Sequence, residues 1–220
     1  YLMMPRIFRK EAEQYFRKQM ELLMSAGFDA LGIGSMEEPG FLREAGIKLP
    51  MYFDQGMYSW NHLAGAAMER YGADRLTIPV ELNEREIRDS GVQGEMIVYG
   101  YLPMMISAQC IRKTTLGCSG KPEVMWLKDR KDMRFPVVNQ CRFCYNTIYN
   151  SAPLSLLGLS EQVTGLKPNA VRLNFTVEDP AAAGEILDAF FEEYGMSEKA
   201  AEPPVLRNQF TRGHFKRGVE

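Results

Sequence analysis

The chain has 220 residues, 45% apolar and 25% charged, and its 26 Lys plus Arg against 28 Asp plus Glu give a formal net charge of −2. Those proportions exclude collagen-like, coiled-coil and wholly disordered chains. They also argue against a protein that coats nucleic acid or membrane with its whole surface, while leaving room for a local basic patch.

No stretch approaches the roughly 20 apolar residues that span a bilayer. Arg6, Arg9, Lys10 and Glu11 interrupt any signal-peptide core. Four cysteines are too few for a disulfide-stapled secreted scaffold. The expected compartment is therefore the cytoplasm, with no membrane partner. Tyr1 leads straight into Leu2, Met3 and Met4. That reads as a chain cut into mid-fold, which makes the N-terminal remainder of a longer protein an expected partner.

In chain order, Leu2–Phe8 is a predicted strand and Lys10–Ala26 an amphipathic helix, with Ala12, Tyr15, Phe16, Met20, Leu23 and Met24 at helical spacing. Asp29–Ile33 is a buried strand, 37–45 a short helix and 48–54 a strand. Ser59–Tyr71 is a helix with Ser59 as N-cap and Gly72 at its end. Arg75–Val80 is a strand, 83–90 a helix capped by Asn83, and Glu95–Ile106 a longer apolar segment broken by Gly100 and Pro103. Strands alternating with helices predict βαβ units and a parallel α/β sheet. A doubly wound sheet and the later part of a (β/α)8 barrel both fit, since a whole barrel takes about 250 residues. Open edges in a partial barrel would favour a homo-oligomer.

The character changes after Ile106. Residues 110–150 read as a cysteine-rich basic loop region. Residues 153–166 look helical, 170–176 a strand, and 179–194 a helix with Asp179 at the cap and Pro180 in its first turn. The tail from Glu202 is expected to be extended. The predicted organisation is a partial barrel over 1–109, the loop region over 110–150, and a small C-terminal α+β element over 151–220.

All four cysteines, Cys110, Cys118, Cys141 and Cys144, fall in the loop region. Cys141-Arg-Phe-Cys144 is a CxxC pair. Four thiolates suit either tetrahedral zinc or an iron–sulfur cluster, and spacing does not choose between them. The region from Cys110 to Asn150 holds eight Lys plus Arg against three acids, with Trp126, Phe135, Phe143, Tyr145 and Tyr149 interleaved. Basic and aromatic residues together suit RNA, with Lys128 and Arg130 as candidate phosphate contacts. A solvated charged loop is the alternative.

Glu95, Gly100, Leu102 and Cys110 stand in the register of a known signature. So do Phe135-Pro-Val, Asn150-Ser-Ala-Pro-Leu154, Arg172-Leu-Asn-Phe-Thr-Val-Glu178 and Thr211-Arg-Gly-His-Phe-Lys-Arg-Gly218. Together they resemble the collagenase-like peptidases, family 32 of the peptidases of unknown catalytic type. Pro103 stands where that signature has its first cysteine, and Cys118 brings the number back to four. The resemblance implies a TIM-barrel-like core followed by a cysteine-bearing region. It implies either collagenase-like proteolysis of polypeptides or, as for several relatives, hydroxylation of RNA or a quinone precursor with a 4Fe–4S cluster on four cysteines.

The residues bear on that choice. His62 and His214 are the two histidines, and HExxH and GxSxG are both absent from the sequence. Zinc on four cysteines is closed and normally structural, which leaves a non-catalytic zinc-braced binding module as a third reading. Glu81, Glu95 and Asp54 lie at predicted strand ends, where a carboxylate mechanism would need them. The expected catalytic residues are Glu81, Glu95 and His214. Asn61, Arg172 and Arg212 join Lys128 and Arg130 as expected contacts to RNA, a small anionic substrate or, for a peptidase, a polypeptide.

Overall fold

A computed structural model describes residues 1–196 and 209–218. Residues 202–208 of the expected extended tail lie outside the described residues. The first half alternates β1 (Leu2–Met3), α1 (Lys10–Ser25), β2 (Leu31–Ile33), α2 (Glu37–Glu44), β3 (Met51–Phe53), α3 (His62–Tyr71), β4 (Arg75–Leu76) and α4 (Glu84–Ser90). It continues through β5 (Glu95–Gly100), β6 (Pro103–Ser107), α5 (Ile111–Thr115), β7 (Val124–Lys128), β8 (Arg134–Gln140) and β9 (Tyr145–Tyr149). β10 (Leu154–Ser155), α6 (Ser160–Gly165), β11 (Ala170–Asn174) and α7 (Pro180–Glu193) complete it.

β1, β2, β3 and β4 pair in that order, all parallel. A parallel bridge between Thr77 and Glu95 carries the ladder on to β5, and β11 pairs parallel to β5 on its other side. The fold is mixed α/β, with consecutive parallel strands as the alternation predicts. Among the described residues the strands do not close into a barrel. β11, from the C-terminal helix-strand-helix, belongs to this parallel array.

Local chemistry sets the helix ends. Asn83 and Glu86 form a capping box at the start of α4, and the Asp179 side chain accepts from Ala182 N ahead of Pro180. For α3 the cap is Asn61, not Ser59. Asn61 Oδ1 accepts from Ala64 N at 3.0 Å, while Ser59 is buried and its hydroxyl donates to Thr77 O. Strands are shorter than their apolar runs. Pro5 has no N–H to donate to a ladder, and β1 stops before it.

The larger departure is residues 103–149. They form an antiparallel sheet in the order β6-β9-β8-β7, inserted between β5 and β11. The charges and cysteines hid it from periodicity, because most of its side chains stay exposed and no apolar alternation is needed. Gly100 lies at the junction. Its φ of +148° and the Asn174 carbonyl, which crowds the place a Cβ would take, leave no room for a side chain where β5 meets β11.

Two apolar clusters hold the parallel layer. One gathers Met4, Phe16, Ile33, Phe41 and Phe53 around β1–β3, α1 and α2. The other gathers Ile78, Val98, Leu154, Val163, Phe190 and Phe215 around β5, α6 and α7.

Candidate functional site

The loops that leave the C-terminal ends of the parallel strands enclose a cleft. Arg6 follows β1, Gln55, Gly56 and Tyr58 follow β3, and Val80 and Glu81 follow β4. Leu102 to Ile106 form the wall after β5, and His214 enters from the C-terminal segment. The cleft volume is ≈ 470 Å3, within the range of small-molecule sites. Its position is where ligands bind open α/β sheets, outside the carboxyl ends of the strands.

Four charged residues lie beneath it. Asp54, almost wholly buried, receives Arg6 Nη2 and Arg172 Nη2 at 2.6 Å each, and Arg172 Nη1 reaches Glu95 Oε1 at 3.0 Å. Burial pushes the Asp54 carboxyl up, but the guanidiniums of Arg6 and Arg172 outweigh it and hold it below the ordinary range. Two expected residues, Glu95 and Arg172, thus pair with each other. Arg6 joins this network and also lines the cleft, so it presents positive charge there.

Two buried acceptors in the cleft wall have no hydrogen-bond partner among the described residues. They are Gln55 Oε1 and Glu81 Oε2. Such atoms are destabilising until a donor arrives. His214 Nδ1 lies 2.8 Å from Gly218 O. A carbonyl only accepts, so Nδ1 carries a proton, and Nε2 is the ring nitrogen left for a ligand. The C-terminal segment is clipped in place by a Thr211–Leu154 bridge and by buried Phe215. Arg212 belongs to that clip, donating from Nη1 to Ser155 O at 2.8 Å and to Leu157 O at 2.6 Å.

Glu38, fully buried behind β2, is a second carboxylate of the strand-end layer. Its Oε2 accepts from Gly34 N and Ser35 N, yet burial dominates and raises it to about 7.

The cysteines occupy one end of the inserted sheet. Cys141 and Cys144 open and close the turn between β8 and β9, Cys110 caps α5, and Cys118 lies in the loop before β7. Partial burial first, then like charge from Cys118, Cys110 and Cys144, pushes the Cys141 thiol up. The Cys141 thiol also donates to Lys121 O, three residues on from Cys118. Four soft sulfur donors on exposed or half-exposed turns suit zinc or an iron–sulfur cluster. Among the described residues no three His, Cys, Asp or Glu side chains are already placed as a metal-binding group. Gly117 and Gly120, both at positive φ, flank Cys118.

The turn is docked onto the scaffold. Phe143 stacks on Phe16 at 5.9 Å and meets Tyr15 edge-on at 5.7 Å, and the Arg142 guanidinium covers the Tyr15 ring at 4.7 Å.

Of the expected residues, Glu81 and His214 meet in the cleft. Asn61 caps α3, and its side chain is committed there. Lys128 and Arg130 lie at the β7–β8 turn, where Lys128 pairs with Asp132. The register places that turn at the opposite end of β8 from Cys141, about 20 Å away at 3.3 Å per residue. Lys128 and Arg130 thus lie apart from the thiols in the fold, while Arg112, Lys113, Lys121 and Arg142 stand on the cysteine-bearing segments. Arg6 and Gln55 were missed. For Gln55 the only signal was position, just past the end of a predicted strand; Arg6 lay within the predicted strand Leu2–Phe8, which ends at Met3 in the fold.

No helix among the described residues is long and apolar enough to cross a membrane. A search of curated proteins found no match, and neither did a search of solved structures. A scan against protein-family models matched peptidase family U32 over residues 1–190. That match takes in the parallel strands, the cleft loops up to Ile106 and all four cysteines, and the chain belongs to peptidase family U32.

Proposed function

We propose that this chain modifies, by hydroxylation, an RNA base or a small anionic molecule held in the cleft, with a 4Fe–4S cluster on Cys110, Cys118, Cys141 and Cys144. One observation carries the reading: the wall of the cleft leads directly into the cysteine-bearing segment. Ile106 lines the cleft and Cys110 is four residues on, no more than about 14 Å away even if fully extended. Hydroxylation turns a C–H bond into C–OH, a two-electron oxidation, so it requires an oxygen donor in the cleft that gives up one oxygen atom and takes the two electrons; a cluster held there would relay electrons in that exchange. Arg6 binds and orients the anionic group. Gln55 Oε1 and Glu81 Oε2 accept from N–H or O–H groups of the ligand. His214 Nε2 is the base positioned to take a proton. Met104 and Met105 form the apolar wall that limits water.

Anaerobic purification and reconstitution, with iron and sulfide assay, tests this reading. About four irons and four sulfides per chain are expected, lost when Cys110 or Cys141 is replaced by Ser. One zinc per chain with failed reconstitution would reject it in favour of a zinc-braced module. The peptidase reading draws on the presence of Glu81 and His214 in one cleft, an acid and a base able to activate water. Gelatin cleavage that survives Cys110→Ser and Cys141→Ser but not Glu81→Gln would favour it instead.

A further inference from the structure

Asn139 and Asn146 are partners across β8 and β9, so their side chains share one face of the inserted sheet. Both are almost completely inaccessible, at 1% and 0% exposure. A buried amide is destabilising unless it is bonded, and these two bond to different cysteine-bearing segments. Asn139 Oδ1 accepts from Glu123 N at 2.5 Å, and its Nδ2 makes a longer contact of 3.5 Å with Lys121 O. Those residues follow Cys118. Asn146 Nδ2 donates to Gln109 O at 2.8 Å, next to Cys110. The pair itself brackets the third segment, since Cys141 is two residues after Asn139 and Cys144 two before Asn146.

Other bonds tie the same segments. The Cys141 thiol donates to Lys121 O at 3.0 Å. Arg112 on α5, the helix that Cys110 caps, donates from Nε to Glu123 Oε1 at 2.7 Å. Among the described residues the asparagine pair is what reaches all three segments.

We infer that Asn139 and Asn146 are positioning residues, a buried cross-strand clasp that holds the segments of Cys110, Cys118 and Cys141–Cys144 in register for one shared ion or cluster. The inference rests on the proposed four-thiolate centre and adds what orders it. Asn146 Oδ1 supports a positioning role over a purely structural one. It is buried with no partner among the described residues. Leucine would fill similar space and remove that orphan acceptor, so by stability alone it would serve as well or better. What leucine cannot do is hold the Gln109 carbonyl. Stability and metal affinity should therefore separate at this position.

The test is cobalt(II) titration of the reduced, metal-free full chain under anaerobic conditions, read by the thiolate-to-cobalt charge-transfer band, beside urea unfolding of the same metal-free protein. Asn146→Leu is expected to weaken cobalt binding about 10–100-fold, the usual range for outer-shell partners, with an unchanged or higher urea midpoint. Asn139→Ala is expected to weaken binding to a similar degree, and it carries the test if Asn146→Leu fails to fold. Unchanged affinity in both variants would overturn the clasp, and so would losses that merely track lost stability. No cobalt binding and no cluster reconstitution by the unaltered chain would instead overturn the four-thiolate centre, and the clasp with it.

Discussion

The parallel layer and the inserted sheet are stabilised in different ways. The parallel layer carries nearly all the buried apolar side chains; among the described residues the insert adds only Pro136, Val137 and Tyr145. Conversely, Met104, Met105, Leu116, Val124, Trp126 and Met133 of the insert are exposed. Its interior is held instead by Asn139, Asn146 and Thr147, and its turn is fixed by Phe143 on α1. A sheet with so little core depends on outside anchors, whether a docked ring or a bound metal. The cleft lies where the two regions meet, with charges anchored in the parallel layer and a wall supplied by β6.

The largest effect is expected at Asp54, the centre of the parallel layer's ion pairs. Asp54→Asn leaves Arg6 without a carboxylate and Arg172 with Glu95 alone. Removing one partner from a buried pair costs about 3–5 kcal/mol, read from urea unfolding. The sign with pH follows from the lowered carboxyl. Its stabilisation is complete above the unfolded-state value near 4 and is lost as pH falls through the lower folded value. The variant should lack that share of acid sensitivity. A loss below about 1 kcal/mol would mean that the layer does not depend on this network.

Next in size is Glu38, which reverses the sign. Its folded value of about 7 exceeds the unfolded value, so the native state holds the proton longer. Its contribution is complete below about pH 4.5 and falls as pH rises through 7, by about 3 kcal/mol in all. Glu38→Gln should flatten the stability profile between about pH 5 and 8 and raise stability at the alkaline end. Identical slopes in the two proteins would show that this carboxyl is not buried in solution as it is here.

These two carboxyls also mark the limit of what the sequence discloses. The alternation of helices and strands, the caps at Asn83 and Asp179, and the cysteine grouping are local patterns, and each is legible in the chain. Asp54 stood out as a strand-end acid, but its partners Arg6 and Arg172 lie 48 and 118 residues away, and only topology brings them together. Glu38 looks like an ordinary first-turn acid of α2 until the fold buries it. The insert stayed hidden for a different reason. Its strands lack the apolar alternation that betrays a sheet, because hydrogen bonds and docking replace a core. The same absence led Lys128 and Arg130 to be grouped with the cysteines, when one strand length separates them.

The smallest expected effect gives the sharpest test of the contrast. Phe143 is half-buried and contacts Tyr15 and Phe16, with Arg142 beside it over the Tyr15 ring, while its own N–H donates to Gln140 O of the sheet. Phe143→Ala removes this anchor but leaves the parallel core nearly filled, so the main unfolding transition should lose only about 1–2 kcal/mol, less than a fully buried Phe→Ala. The principal change should be local. Hydrogen exchange of residues 140–149 should quicken markedly, while the amides of β2, β3 and β5 keep their protection. If the turn is fixed chiefly by α1, its thiols should also become more reactive toward a maleimide in the metal-free chain. Were the whole molecule to lose protection together, insert and parallel layer would be one cooperative unit, and the insert's dependence on outside anchors would have to be abandoned.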